Sequence, residues 1–281
     1  MRNNLILRAL VFSSLLLAIG ACQQKKTVPV SNSYYPKAQD AFRIVSYNVG
    51  ALHKYIADVN ENADMIGAMV QEVQADVVGL QELDSCNARH NVNEIDLLAR
   101  AAGGWKWYYG KTIDYKGGAY GNGIITPSGV KVVKTGKINF ANPTKHESRG
   151  MIFIETDKYV LAVSHLDHST EEYIQSQIAV INAWVQENYA DAKKPVFFCG
   201  DMNATPGSDA IKALEEHWEV ISNQGVEGGT TVNTHRTIDF IFHYKRSTPV
   251  QVLGATTLVL FHNGDANKAS DHYPIYVDVK W

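Results

Sequence analysis

Cysteine is scarce in this chain: three residues, at positions 22, 86 and 199, among 281. Their spacing fits no zinc site, and no histidine pair with ligand spacing replaces them. One disulfide, Cys86–Cys199, is open to the count. Cys199 lies inside an apolar run, however, and reads rather as a small buried hydrophobe. An excess of basic charge is also missing, with 26 Lys and Arg against 29 Asp and Glu. No stripe of Lys and Arg of the kind a duplex binder needs is visible, which argues against a nucleic-acid specialist while leaving room for local clusters. There is no internal repeat and no low-complexity boundary. The apolar run from Ala9 to Ala18 is too short for a transmembrane helix.

That run does have the layout of a leader. Arg2 and Arg8 flank a basic start, and Ile19-Gly20-Ala21-Cys22 puts small residues before a cut. Ile-Gly-Ala-Cys also resembles the lipobox of bacterial lipoproteins, in which the cysteine is lipidated and becomes the first residue. The expectation is therefore a signal peptide over 1–21, lipidation at Cys22, a polar tether over 22–40 and a single domain over 41–281. Losing the leader removes two arginines and no acid, so the net charge moves from −3 to −5. Gln23-Gln24-Lys25-Lys26 lacks the acids associated with surface export in some Gram-negative groups. This favours a membrane-anchored, periplasm-facing position outside the cytoplasm.

With 45% hydrophobic residues the chain can bury one large core or two smaller ones. Short alternating or apolar runs read as strands: 42–48, 77–82, a hairpin or a mobile loop over 105–123, a hairpin over 124–138 around Pro127-Ser128-Gly129, another over 150–165, then 196–199, 237–242, 250–260 and 273–279. Amphipathic helices are expected over about 60–74, 94–102 and 170–189, and a shorter one from Asp209 capped by Ser208. Strands outnumber helices, and the helices fall between strand pairs. That pattern points to two mostly antiparallel sheets packed together with helices outside, an α+β fold.

Polar residues stand where these apolar runs stop: Asn48, Glu82, His165, Asp201, Asn203, Asp239, Asp271 and His272. Strand ends on a rigid sheet are where catalytic groups are placed. Singly, each has a bland reading: Asn48 a turn, Glu82 a solvated strand end, His165 a satisfied core histidine, Ser270-Asp271 a turn. Asp239, among apolar neighbours in Thr-Ile-Asp-Phe-Ile-Phe, needs a partner. Gly200 allows a turn after the 196–199 run. If the backbone stays extended there, Asp201 and Asn203 point the same way. Oxygen donors without thiols or paired histidines suit Mg²⁺ rather than Zn²⁺. Two histidines among carboxylates suit orientation and protonation of a phosphate. The aromatics from Trp105 to Tyr120 either line a substrate entrance or pack their own hairpin.

Ser46-Tyr47-Asn48, Leu80-Gln81-Glu82, Ser164-His165-Leu166-Asp167-His168, Gly200-Asp201-Met202-Asn203, Ile238-Asp239-Phe240-Ile241 and Ser270-Asp271-His272 together resemble the endonuclease/exonuclease/phosphatase superfamily, the DNase I-like fold. The resemblance spans about residue 42 to the C-terminus and implies a four-layered α/β sandwich. It implies Glu82 as the main Mg²⁺ ligand, with Asn48 and Asp271 beside the metal and Mn²⁺ as an alternative ion. It further implies Asp201 orienting or deprotonating water, Asn203 and His165 on the phosphate, and His272 on the phosphate held by Asp239. Arg149, in Glu147-Ser148-Arg149-Gly150, matches a phosphate-neutralising position; Asn122 matches a substrate-side one, with Tyr109 and Lys111 as weaker candidates. The implied activity is Mg²⁺-dependent hydrolysis of a phosphoester, a diester by preference, by a monomer. A small phosphoester, a lipid head group or nucleic acid would be the substrate. The rivals are an extracytoplasmic scavenging nuclease and a silent binding module. The His165-Leu-Asp-His168 segment leans toward phosphatase and sphingomyelinase-like members and away from DNA repair.

Overall fold

A computed structural model describes residues 33–142, 147–222 and 229–281. The expected leader, Cys22 and most of the expected tether lie outside these residues. In chain order the elements are β1 (Phe42–Asn48), α1 (Val59–Glu72), β2 (Val77–Ser85), α2 (Glu94–Ala101), β3 (Lys106–Tyr115), β4 (Gly118–Thr126), β5 (Val132–Asn139), β6 (Gly150–Thr156), β7 (Val160–His165), α3 (Glu171–Tyr189), β8 (Val196–Asp201), α4 (Asp209–Glu215), β9 (Trp218–Val220), β10 (Asp239–Tyr244), β11 (Gln251–Thr257), α5 (Ala266–Ala269) and β12 (Ile275–Lys280).

The strands form two six-stranded sheets, ordered β11-β12-β1-β2-β4-β3 and β5-β6-β7-β8-β10-β9. Each contains one parallel pair at its centre, β1 with β2 and β7 with β8, and every other ladder among the described residues is antiparallel. The two sheets thus repeat one pattern of strand directions.

Alternation along the strands sorts the side chains into layers. Ile44 on β1, Leu161 and Val163 on β7, Phe197 and Cys199 on β8 and Ile241 on β10 share the core between the sheets. Val45, Val78 and Leu80 face the other way, onto Ile66, Met69 and Val70 of α1 and Ile95 and Leu98 of α2. Phe198, Phe240 and Phe242 face outward from the second sheet onto Ile178, Ile181 and Val185 of α3 and Leu214 of α4. The result is helix, sheet, sheet, helix, the expected four layers. Ser208 caps α4 through the Ile211 N–H, and Thr170 caps α3 through the Tyr173 N–H.

Four local expectations are corrected. The Pro127-Ser128-Gly129 turn does not close a hairpin: β4 and β5 belong to different sheets, and the turn carries the chain between them. β2 does not stop at Glu82 but runs on to Ser85 across a register shift between Leu80 and Leu83. Asp239 is the first residue of β10, not a mid-strand acid. Both described cysteines are free, Cys86 exposed and Cys199 buried, so no bridge joins them.

Candidate active site

The parity that builds the inner core also builds the site. Asn48 continues the inner face of β1 after Ile44 and Ser46. His165 follows Leu161 and Val163 on β7, and Asp201 follows Phe197 and Cys199 on β8. Each inward-facing row turns polar at the carboxyl end of a parallel strand. Asp239, opposite Asp201 in the β8–β10 ladder, opens its own inner row from the same end.

Glu82 reaches the site differently. Its place in the alternation of Val78 and Leu80 would aim it at α1 and α2. The bulge inserts an extra residue there, and Glu82 takes a left-handed φ of 57°. A non-glycine residue in that region costs about 1–3 kcal/mol, a strain typical of functional positions. The carboxylate is thereby turned into a pocket of ≈ 440 Å³ lined by Glu82, Tyr120, Glu147, Arg149, His165, His168, Asp201, Asn203, Arg236 and His272.

Hydrogen bonds fix the acids. Asn48 Nδ2 donates to Glu82 Oε1 at 2.9 Å and to Asp201 Oδ2 at 3.1 Å, while its Oδ1 accepts the Gly50 N–H. Asp201 Oδ1 accepts the Asn203 N–H at 2.9 Å. Asn203 is not in line with Asp201 on an extended backbone: its φ is 50°, and its amide donates to the Leu166 carbonyl. It lines the pocket nonetheless, one turn beyond the strand.

Asp201 Oδ2 lies 3.5 Å from His165 Nε2 and 3.7 Å from His272 Nε2. The two imidazoles have opposite proton affinities. Burial, with the positive charge of Arg149, holds His165 well below the usual histidine range. Burial alone would lower His272 too, but Asp239, hydrogen-bonded to its Nδ1 at 2.9 Å, and the charges of Asp201 and Asp271 push it up to about 10. Burial and the charge of Asp239 push Asp201 up to about 7. Asp239 Oδ2 also accepts the Thr230 hydroxyl at 2.6 Å.

Arg149 NH2 meets His168 Nδ1 at 3.2 Å, and its NH1 lies 3.3 Å from Glu147. Asp271, whose charge acts on His272, does not line the pocket; it pairs with Lys54 at 2.6 Å, and its Oδ1 is buried without a hydrogen-bond partner. The donor set of the Glu82 and Asp271 carboxylates and the Asn48 amide oxygen, all oxygen, together with that unused oxygen, fits a hard divalent cation. Asp201, Asp239 and His272 also offer atoms within 4.8 Å of one another. There, however, the imidazole is already committed to Asp239.

Some expected residues are elsewhere. Asn122 is buried with its amide on the Gly150 carbonyl at 3.0 Å, so it supports the strand leading from Arg149, and it does not line the pocket. Tyr109 donates to the Leu83 carbonyl and packs on the α1–α2 core. Lys111 pairs with Asp114. Of the aromatic stretch, Tyr120 lines the pocket, Trp105 packs on the core and Trp107 is exposed with its indole N–H on Asp96. Sequence reasoning missed Lys54, Thr230 and Arg236, whereas Tyr120 belongs to the aromatic stretch offered for a substrate entrance. His168 was quoted in a motif but given no role; its spacing of three from His165 was the available signal.

Two face-packed six-stranded sheets flanked by helices, with this pocket at one end, make a DNase I-like α+β sandwich. The chain belongs to the Endonuclease/Exonuclease/phosphatase family, whose model matches residues 45–272. Members of this family hydrolyse phosphoester bonds, generally with a metal ion. Among solved structures, the Bacteroides thetaiotaomicron mannosyl-6-phosphatase is similar at 16% identity and TM-score 0.70, over 85% of this chain and 100% of that one. The human Nocturnin catalytic domain with bound sulfate is similar at 20% and 0.68, over 90% and 98%. The D. rerio TDP2 complexed with single strand DNA product is similar at 20% and 0.65, over 86% and 99%. At these identities the likeness is one of fold. No curated protein matches the chain.

Proposed function

We propose that this protein is a Mg²⁺-dependent phosphoesterase that hydrolyses a phosphodiester by in-line attack of water. The observation that carries this reading is Asp201, held between an imidazole kept neutral and one kept protonated. A carboxylate with its pKa near 7 takes a proton from water at neutral pH. Asn48 and the Asn203 N–H hold that carboxylate in place, so it orients the water as well as receiving its proton. The His272 imidazolium, its Nδ1–H on Asp239, directs Nε2–H toward a phosphoryl oxygen, and Arg149 adds a guanidinium on the same pocket wall. Neutral His165 adds a ring nitrogen without further positive charge. Glu82, Asn48 and Asp271 would hold the divalent cation, which when bound neutralises phosphate charge and stabilises the charge that develops in the transition state.

A terminal phosphomonoester is the second reading. Arg149 and Arg236 both line the pocket, and two guanidiniums suit a dianion better than a monoanion. A nuclease acting outside the cytoplasm is a third, supported by a fold shared with a protein solved with a DNA product. The leader and the Cys22 lipobox support a membrane-anchored chain facing the periplasm.

A panel of bis- and mono-p-nitrophenyl phosphate, sugar and inositol phosphates, sphingomyelin and DNA, each with Mg²⁺, Mn²⁺ or EDTA, tests these readings. Expected are diester turnover, loss with EDTA, and a fall of about a hundredfold or more in Glu82→Gln. Activity that is indifferent to EDTA would remove the metal assignment, and an inert protein across the panel would return the binding-module reading.

A further inference from the structure

A second cluster of ligand-type side chains lies outside the pocket, where the loop after β2 meets α2. Asp84, His90 and Glu94 each bring one donor atom to within 4.8 Å of the others. Asp84 and Glu94 are fully buried, Asp84 on β2 just past the Glu82 bulge and Glu94 as the first residue of α2. His90 is half-buried on the loop between them.

Two atoms of this cluster have no hydrogen-bond partner among the described residues. Glu94 spends Oε2 on the Asp84 N–H at 2.7 Å, while its Oε1 is buried and unmet. His90 Nε2 is also buried and unmet. A carboxylate oxygen shut away from water without a donor is costly and calls for a ligand or a proton. Arg89 does not meet it: its Nε and NH2 both go to Asp84, at 2.7 Å each. Arg89 balances Asp84 alone, and burial pushes the unpaired Glu94 up to about 8, so a cation bound there would displace its proton. A second imidazole, His53, packs edge-on to His90 with ring centroids 4.8 Å apart. Its Nδ1 faces the Ala51 carbonyl at 2.8 Å, so that nitrogen carries the proton and Nε2 keeps its lone pair. This is the tautomer and backbone support usual for metal-binding histidines.

We infer that Asp84, His90 and Glu94 form a second divalent-cation site, separate from the phosphate pocket, that takes a zinc-type ion. Imidazole nitrogen beside carboxylate oxygen suits Zn²⁺ better than Mg²⁺, which prefers oxygen and water alone. His53 stands by as a further nitrogen. Asp84 reaches the ion as an anchored carboxylate, because each of its oxygens retains a lone pair beyond its bond to Arg89. Such an ion ties the 86–93 loop and the start of α2 to the strand that carries Glu82, and its role is structural.

The test uses the full-length chain in a Glu82→Ala/His272→Ala background, which disables the pocket as a competing site. The metal-free protein is titrated with Zn²⁺ by calorimetry, and bound metal is counted by mass spectrometry after gel filtration. Expected is one Zn²⁺ ion per chain, accompanied by a rise in Tm, with affinity falling roughly a hundredfold when His90→Gln or Glu94→Gln is added. Co²⁺ in place of Zn²⁺ should give visible absorption that disappears in the same two variants. Glu94→Gln keeps the side-chain volume and an acceptor for the Asp84 N–H, and circular dichroism of the metal-free variants checks that each is folded. No Zn²⁺ bound in the pocket-disabled background, or equal affinity with and without His90 and Glu94, overturns the proposal. The cluster would then be an ion pair closed around an uncharged Glu94.

Discussion

Asn48 ends a strand of one sheet and Asp201 ends a strand of the other, and the Asn48 amide donates to the Asp201 carboxylate at 3.1 Å. The same amide holds Glu82 at 2.9 Å. One side chain thus sets the spacing between the residue proposed to take the water proton and the one proposed to hold the cation.

Replacing that side chain tests the coupling. Asn48→Ala removes a donor to the charged form of Asp201, which raises its pKa further. We expect kcat to fall about 10–100-fold, with the acidic limb of the pH–rate profile moving upward. An unmoved acidic limb would show that Asp201 is not the group titrating there.

The profile itself is expected to be bell-shaped. Asp201 binds its proton below about 7, so kcat/KM rises roughly tenfold per pH unit up to that point as the carboxylate forms. His272 loses its proton above about 10, so activity falls beyond it. Raising the divalent-cation concentration should move the acidic limb to lower pH, because a nearby positive charge favours the carboxylate. Initial rates across pH 5–11, at two Mg²⁺ concentrations, measure all three.

Asp239→Asn deletes the charge that raises His272. The alkaline limb should move down by more than one pH unit, with kcat lower by about 10²–10⁴-fold. A uniform loss with both limbs in place would instead indicate a purely structural role for Asp239.

Gly200 is required for the strand to reach the site. Its φ is 148°, and a Cβ there would lie 1.8 Å from the Ser164 carbonyl oxygen on the neighbouring strand β7. Backbone cannot yield as a side-chain tip can. Gly200→Ala should therefore cost at least about 3 kcal/mol, read as a fall in denaturation midpoint or as loss of soluble protein.

Much of this site could be read from the sequence because it is written in alternation. Ile44-Val45-Ser46-Tyr47-Asn48 and Phe197-Phe198-Cys199-Gly200-Asp201 each carry an inner row that ends polar, from Ser46 onward in the first and at Asp201 in the second, and the folded chain keeps that row. Glu82 was legible as the polar end of an apolar run and as part of a motif, but not from its parity, which points the wrong way until the bulge corrects it. The crossing from β4 to β5 was read as a hairpin because Pro-Ser-Gly turns the chain equally well toward the same sheet or the facing one. Thr230, Arg236 and Lys54 come from loops. Nothing in their local sequence says that they meet Asp239, the pocket and Asp271. Asn122 was offered as a substrate-side residue by the family resemblance alone, and it lies inside β4 with its amide on the Gly150 carbonyl.

The pairing of β1 with β12 has a practical corollary for handling the protein. Phe42 stands opposite Val279, so the first strand enters and the last one leaves at the same end of the sandwich. Asn48 lies at the far end of β1, roughly 20 Å away. A fusion partner, a resin or a bilayer attached ahead of residue 33 therefore grips the back of the molecule. The pocket opens at the opposite end of β1, away from that point of attachment.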